Sequence, residues 1–152
     1  MREIITTIDI DAPPGRVWAQ LTDFSAHAAW NPFITKLEGS PRVGARLAIT
    51  VQPPGGAAMS FKPTVLRADP NSELRWLGRL WLPGVFDGEH FFKIEPIDGG
   101  SRSRFTHGER FRGLLVPFLR RSLEGGTPKG FEAMNRALKD RVEARQRDER
   151  RV

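Results

Sequence analysis

The chain has 152 residues, 39% of them hydrophobic, and a formal charge of +6 from 24 Lys and Arg against 18 Asp and Glu. That length suits one domain with a real core, and no apolar run approaches the ~18 residues of a membrane span. Cysteine and tyrosine are both absent, which excludes disulfides, thiolate metal sites, a cysteine nucleophile and any phenolic acid or oxyanion donor.

The aromatic load falls instead on ten Phe and four Trp, broad apolar surfaces suited to lining a cavity. Strand-like alternation begins at the N-terminus with Glu3 and Asp9 inside it, so no signal peptide is read and a cytoplasmic protein is expected. Much of the positive excess lies near the C-terminus, where Arg136, Lys139, Arg141, Arg145, Arg147, Arg150 and Arg151 alternate with Asp140, Glu143, Asp148 and Glu149. Interleaved signs at helical spacing mark a solvated helix face, so no nucleic-acid partner is expected.

In chain order, Ile4, Thr6, Ile8 and Ile10 share one face of a first strand. Asp11 ahead of Ala12-Pro13-Pro14 starts a helix, with Val17, Trp18 and Leu21 on its apolar side and Phe24 closing the corner. Residues 25–30 make one more short turn of helix, ended by Asn31-Pro32. A residue before proline is pushed toward extended geometry, so a strand follows from Phe33. Candidate strands then cover 33–39, 45–52, 58–68, 73–82, 86–97 and 101–112. Turn signals separate them, among them Pro53-Pro54-Gly55-Gly56, Pro83-Gly84 and Asp98-Gly99-Gly100. Pro63 indicates an edge position or a bulge within 58–68. The tail is helical, with an apolar stripe of Phe131, Met134, Leu138 and Val142 begun by Thr127-Pro128. An earlier helical piece covers Pro117 to Glu124, and Gly125-Gly126 separates or kinks the two.

The succession from Thr6 to Phe24, leading into Ala29-Trp30-Asn31-Pro32-Phe33-Ile34, resembles the opening of START/Bet v 1-like (SRPBCC) domains. The segments Leu74–Leu80, Phe86–His90 and Gly130–Leu138 are similar to their polyketide cyclase/dehydrase-like branch. The resemblance implies an α+β helix-grip fold: a seven-stranded antiparallel sheet curled around a long C-terminal helix, with two short helices between the first two strands. It implies a single ligand-binding domain over 1–145, followed by a charged, frayed tail over 146–152. It also implies an apolar ligand held between sheet and helix.

Period-two alternation along 101–112 turns Arg102, Arg104, Arg110 and Arg112 to water and Phe105, His107, Glu109 and Phe111 inward. On the preceding strand Lys93 and Glu95 point out, so His90, Phe92 and Ile94 point in. If Gly99-Gly100 forms the turn, Phe92 opposes His107 and His90 opposes Glu109. The expectation is a polar patch of His90, His107 and Glu109 in an apolar concavity, with opposed Cβ atoms about 5 Å apart. Three readings apply to the patch: mutual satisfaction of buried polar groups, orientation of a bound ligand, or acid–base catalysis with a histidine as base and Glu109 setting its tautomer. No metal or cofactor is expected.

Trp76 is expected inside with Leu74, Leu80 and Leu82, which turns Arg75, Arg79 and Trp81 outward. Leu47, Ile49, Met59 and Phe61, with Phe131 and Met134 from the helix, complete the expected ligand wall or plain core. Trp30 and Phe33 bracket a rigid turn and read as a hydrophobic staple or a ligand contact near the opening, while His27 reads as a surface histidine. No phosphate loop, nucleophile elbow or His-Glu-x-x-His helix is present. The expected function is binding of a small hydrophobic molecule as carrier or sensor, by a monomer or dimer. The alternatives are a cyclase/dehydratase-like enzyme using His90, His107 and Glu109, and a protein-interaction module.

Overall fold

The computed structural model describes residues 2–80, 83–118 and 120–151; the side chains of Leu80, Phe118 and residues 120–125 fall outside that description. The expectations for Trp81, Leu82 and the Leu80 side chain therefore lie outside the described residues. The elements run β1 (Arg2–Ile10), α1 (Pro14–Thr22), a 3-10 turn (Phe24–Ala26), α2 (His27–Trp30), β2 (Ile34–Glu38), β3 (Ala48–Val51) and β4 (Met59–Phe61). They continue with β5 (Thr64–Asp69), β6 (Glu73–Leu80), β7 (Phe86–Ile97), β8 (Arg102–Arg112) and α3 (Arg120–Arg150). This is the helix-grip arrangement: curved antiparallel strands, two short helices after β1, and a long terminal helix.

Five strands form one sheet in the order β1-β8-β7-β6-β5, and three form a second in the order β2-β3-β4. The sequence suggests seven strands; among the described residues there are eight, because the run 58–68 divides at Lys62-Pro63 into β4 and β5. Proline has no N–H to give a ladder, so pairing stops there. The Pro63 carbonyl still accepts from Leu47 N–H at 2.8 Å, and Val65 N–H donates to Ala45 at 2.9 Å. These bonds join the chain leading into β3 to β5, so the two sheets meet along one seam.

On the concave side, Phe92, Phe105, Phe131, Met134 and Leu138 are fully buried, with Leu47, Ile49 and Val51 beside them. α3 is helical without interruption from Arg120 to Arg150, with Pro128 inside it; of the expected separation or kink at Gly125-Gly126, the separation does not occur. Gly126 serves close approach instead: a Cβ there would lie 3.2 Å from the Pro54 carbonyl oxygen. Four residues further on, a Cβ on Gly130 would fall 2.4 Å from the Phe33 ring, so this glycine lets the helix rest on that ring. The last turns, where fraying is expected over 146–152, stay helical to Arg150. Gln146 Nε2 donates to the Asp11 carbonyl at 3.1 Å, and Arg16 pairs with Glu149, tying that end to the start of α1.

The convex side carries the outward residues of β6, β7 and β8. Arg75 bonds Glu73 at 3.1 Å and Glu89 at 2.8 Å and lies over the Phe91 ring, while Arg79 sits 3.7 Å from Asp87. Both arginines therefore face away from α3, as the inward position of Trp76 requires. No described helix is long and apolar enough to cross a membrane.

Candidate functional site

β7 and β8 bring the site together. In the observed register His90 opposes Glu109 and Phe92 opposes His107, as the turn at Asp98-Gly99-Gly100 requires. All four side chains point to the concave face. His90 Nε2 lies 2.7 Å from His107 Nε2, and His90 Nδ1 lies 3.4 Å from Glu109 Oε2. The second distance is that of an ion pair rather than of a tight hydrogen bond.

β1 and α3 extend this pair into a chain. His107 Nδ1 lies 3.0 Å from Asn135 Oδ1, Asn135 Nδ2 donates to Thr6 Oγ1 at 2.8 Å, and Thr6 Oγ1 donates to the His107 carbonyl at 3.0 Å. Thr6 reaches this place because β1 pairs with β8 so that Thr6 opposes His107. Asn135 reaches it because it sits one helical turn from Phe131 on the stripe that packs inward. Neither residue was singled out from the sequence. Their signal was a polar residue inside each apolar face: Asn135 between Met134 and Leu138, Thr6 between Ile4 and Ile8.

Aromatic rings enclose the chain. Phe131 stacks on His107 at 3.9 Å between centroids, and Trp76 stacks on His90 at 5.2 Å. Phe92 lies 4.9 Å from His90, and Phe33 lies 6.4 Å from His107 and 5.4 Å from Phe131. His107 is fully buried and His90 nearly so. Burial, with the adjacent His90 as the next cause, holds the His107 pKa well below its ordinary 6.5, because an imidazolium there would be desolvated beside a second histidine. Neutral His107 retains one lone pair for a hydrogen bond. Glu109 is the member that meets solvent, with 16% of its side chain exposed.

The expected lining residues divide into two groups. Leu47, Ile49, Trp76, Phe92, Phe105, Phe111, Phe131 and Met134 are buried and packed against each other or the relay, and Phe33 joins them through Phe131. Where Phe131 stacks on His107, sheet and helix are in direct contact. Met59 and Phe61 lie on an edge strand: Met59 opposes buried Val51, yet it is 54% exposed because β4 is the last strand of its sheet. Trp30 packs at the helical corner, 4.7 Å from the His27 ring.

His27 corrects an expectation. It is 1% exposed, not a surface residue. Its Nε2 lies 2.7 Å from the Leu21 carbonyl and its Nδ1 3.0 Å from Asn31 Nδ2, while Asn31 Oδ1 accepts from the Phe33 and Ile34 amides at 2.9 Å. This ring ties the end of α1 to the start of β2, and burial lowers its pKa too. A separate surface cleft of about 410 Å³ is lined by Phe24, Ser25, Ala28 and residues 35–39. It shares no residue with the relay. Among the described residues no cluster of three or more His, Asp or Glu is arranged to hold a metal ion.

A family model described as polyketide cyclase / dehydrase and lipid transport matches residues 1–145. The chain belongs to that family. Its members' fold recurs in solved structures similar to this one. The Zhui aromatase/cyclase from Streptomyces sp. R1128 is 19% identical with a TM-score of 0.77, over 95% of this chain and 94% of that one. A START superfamily protein from Mycobacterium smegmatis is 20% identical with a TM-score of 0.71, over 93% and 97%. A point mutant of norcoclaurine synthase from Thalictrum flavum, in complex with a transition-state analogue, is 14% identical with a TM-score of 0.72, over 95% and 96%. At these identities the likeness is one of fold. No curated protein sequence is matched by the chain.

Proposed function

We propose that this family member binds a small hydrophobic molecule, lipid, polyketide or aromatic in character, between the concave sheet face and α3, as a carrier or sensor. The observation that carries the reading is the relay itself: a few convergent polar groups within an apolar, aromatic enclosure, one of them open to solvent. Ligand pockets have this composition, with apolar walls giving affinity and placed polar groups giving orientation. The half-exposed inward face of Met59 supports entry at that edge. The family match supports the class of ligand.

A cyclase or dehydratase is the second reading, favoured by one observation. Glu109, His90 and His107 form a connected path on which a proton can be held next to a bound molecule, and a positioned acid–base pair contributes about 10²–10⁴-fold to a rate. With no tyrosine in the chain, enolate stabilisation would rest on histidine or backbone groups. We place the protein in the cytoplasm as a monomer or dimer, without a nucleic-acid partner.

The test is native mass spectrometry of gently purified protein, followed by extraction and identification of any adduct. A stoichiometric apolar adduct that returns unchanged supports the carrier. Conversion of an added adduct class, lost in His90→Gln while binding persists, puts the enzyme first. Retention of every candidate ligand after the buried wall is altered at Trp76 or Phe131 contradicts binding at this place.

A further inference from the structure

The relay has a direction, and the direction selects the ligand. Thr6 Oγ1 faces the His107 carbonyl at 3.0 Å, and a carbonyl only accepts, so Thr6 donates there. Its oxygen is then the acceptor for Asn135 Nδ2 at 2.8 Å. That fixes the Asn135 amide with Oδ1 toward His107 Nδ1, 3.0 Å away, so His107 carries its proton on Nδ1. A neutral His107 has a lone pair on Nε2, and His90 Nε2, 2.7 Å away, is the donor to it. In this arrangement every donor meets an acceptor.

The last step reaches Glu109. His90 Nδ1 faces Glu109 Oε2 at 3.4 Å. Oε2 is the oxygen turned to His90, and Glu109 Oε1 is an acceptor with no hydrogen-bond partner among the described residues. Oε1 lies over Gly88, where a Cβ would stand only 2.7 Å from it, so the strand leaves the carboxylate its place. We infer that the concave sheet face beside Glu109 takes an apolar ligand bearing a hydroxyl or N–H, which donates to Glu109 Oε1, and not an apolar carboxylate or an aprotic analogue. Asn135 and Thr6 are then positioning residues: they touch no ligand but set which histidine nitrogens carry protons. This inference rests on the proposed ligand-binding reading and narrows it.

The test has two arms. The chain has three histidines, so ¹⁵N-histidine NMR resolves them without a ligand. His107 is expected protonated at Nδ1 and bare at Nε2, with His90 protonated at Nε2; in Asn135→Leu the His107 preference for Nδ1–H is lost. Protonation of His107 at Nε2 in the unaltered protein overturns the inference whatever binds.

The second arm titrates 2-naphthol, 2-methoxynaphthalene and 2-naphthoate, read by the His90 resonances. 2-Naphthol is expected to bind about ten-fold tighter than its methyl ether, since a site with a waiting polar partner rejects the analogue that cannot fill it, and the naphthoate weaker still. Glu109→Gln keeps the preference, because its amide N–H serves His90 while its carbonyl still accepts; Glu109→Leu abolishes it. Equal binding of the three probes overturns the donor preference and leaves the ligand reading standing. Binding by none of them overturns both.

Discussion

Asn135 links the terminal helix to the sheet through one hydrogen bond on each side, and its removal has a predictable cost. Asn135→Leu fills the same volume but leaves His107 Nδ1–H and Thr6 Oγ1 without their partner. A buried donor left unsatisfied costs about 1–3 kcal/mol, so the unfolding free energy of that variant is expected to fall by this amount and its urea midpoint to drop with it. An unchanged midpoint would mean that the relay's inner end is not closed. Acidity gives a second outcome at the same scale. His27 and His107 have folded pKa values below the ordinary 6.5, each mainly through burial. Between the folded and unfolded values the unfolded chain binds more protons, so stability rises with pH there. The denaturation midpoint is therefore expected to be level above pH ~7 and to decline as pH falls below about 6.5, before the low-lying carboxylates of Glu73 and Glu143 titrate. A midpoint that is flat down to pH ~5 would contradict the burial of these two rings.

The histidines also mark where sequence reasoning stops. The register of β7 on β8 was legible, because alternation fixes the inward faces and a one-residue slip would turn His90 and Glu109 to opposite sides. The role of His27 was not. A histidine in a short Ala-rich turn carries no period, and its burial depends on how α1 and β2 close around it. Asn135 was legible only as an anomaly on an apolar stripe, since which strand residue it meets is set by the crossing of α3 over β1 and β8.

Among the elements, α3 decides the shape of the site. Its stripe places Phe131 on His107, and Gly130 lets it settle onto Phe33. Gly130→Ala gains helix propensity of about 1 kcal/mol but puts a methyl into the Phe33 ring. Overpacking of this kind costs about 1–3 kcal/mol, so a net loss of thermal stability is expected, together with altered Phe33 resonances. A net gain in melting temperature would show that the helix has room to lift. Pro63 acts at the same scale. A bulge and an edge both follow from one missing N–H, but the length of the interruption depends on the seam with 44–47 that no local pattern announces. Likewise Gly125-Gly126 and Pro128 are breakers by local rules, yet the helix runs through them, because the burial of Phe131, Met134, Leu138 and Val142 outweighs one lost backbone bond.

At the scale of the whole molecule, the fold and its family were legible from end to end, and the ligand was not. The residues between sheet and helix are apolar apart from the relay, and apolar walls specify a class of molecule rather than a molecule. The excess positive charge adds little to that: Arg75, Arg104 and Arg110 are each engaged with carboxylates on the convex side. Against that apolar background stands the polar line from Thr6 to Glu109. The central claim is that a small hydrophobic molecule lodges beside that line. The most direct measurement is the two-dimensional NMR spectrum of ¹⁵N-histidine- and indole-labelled protein titrated with 2-naphthol. Saturable shifts of His90 and Trp76, with His27 unmoved, are the predicted result. Shifts confined to surface groups, or none at all, would contradict the account.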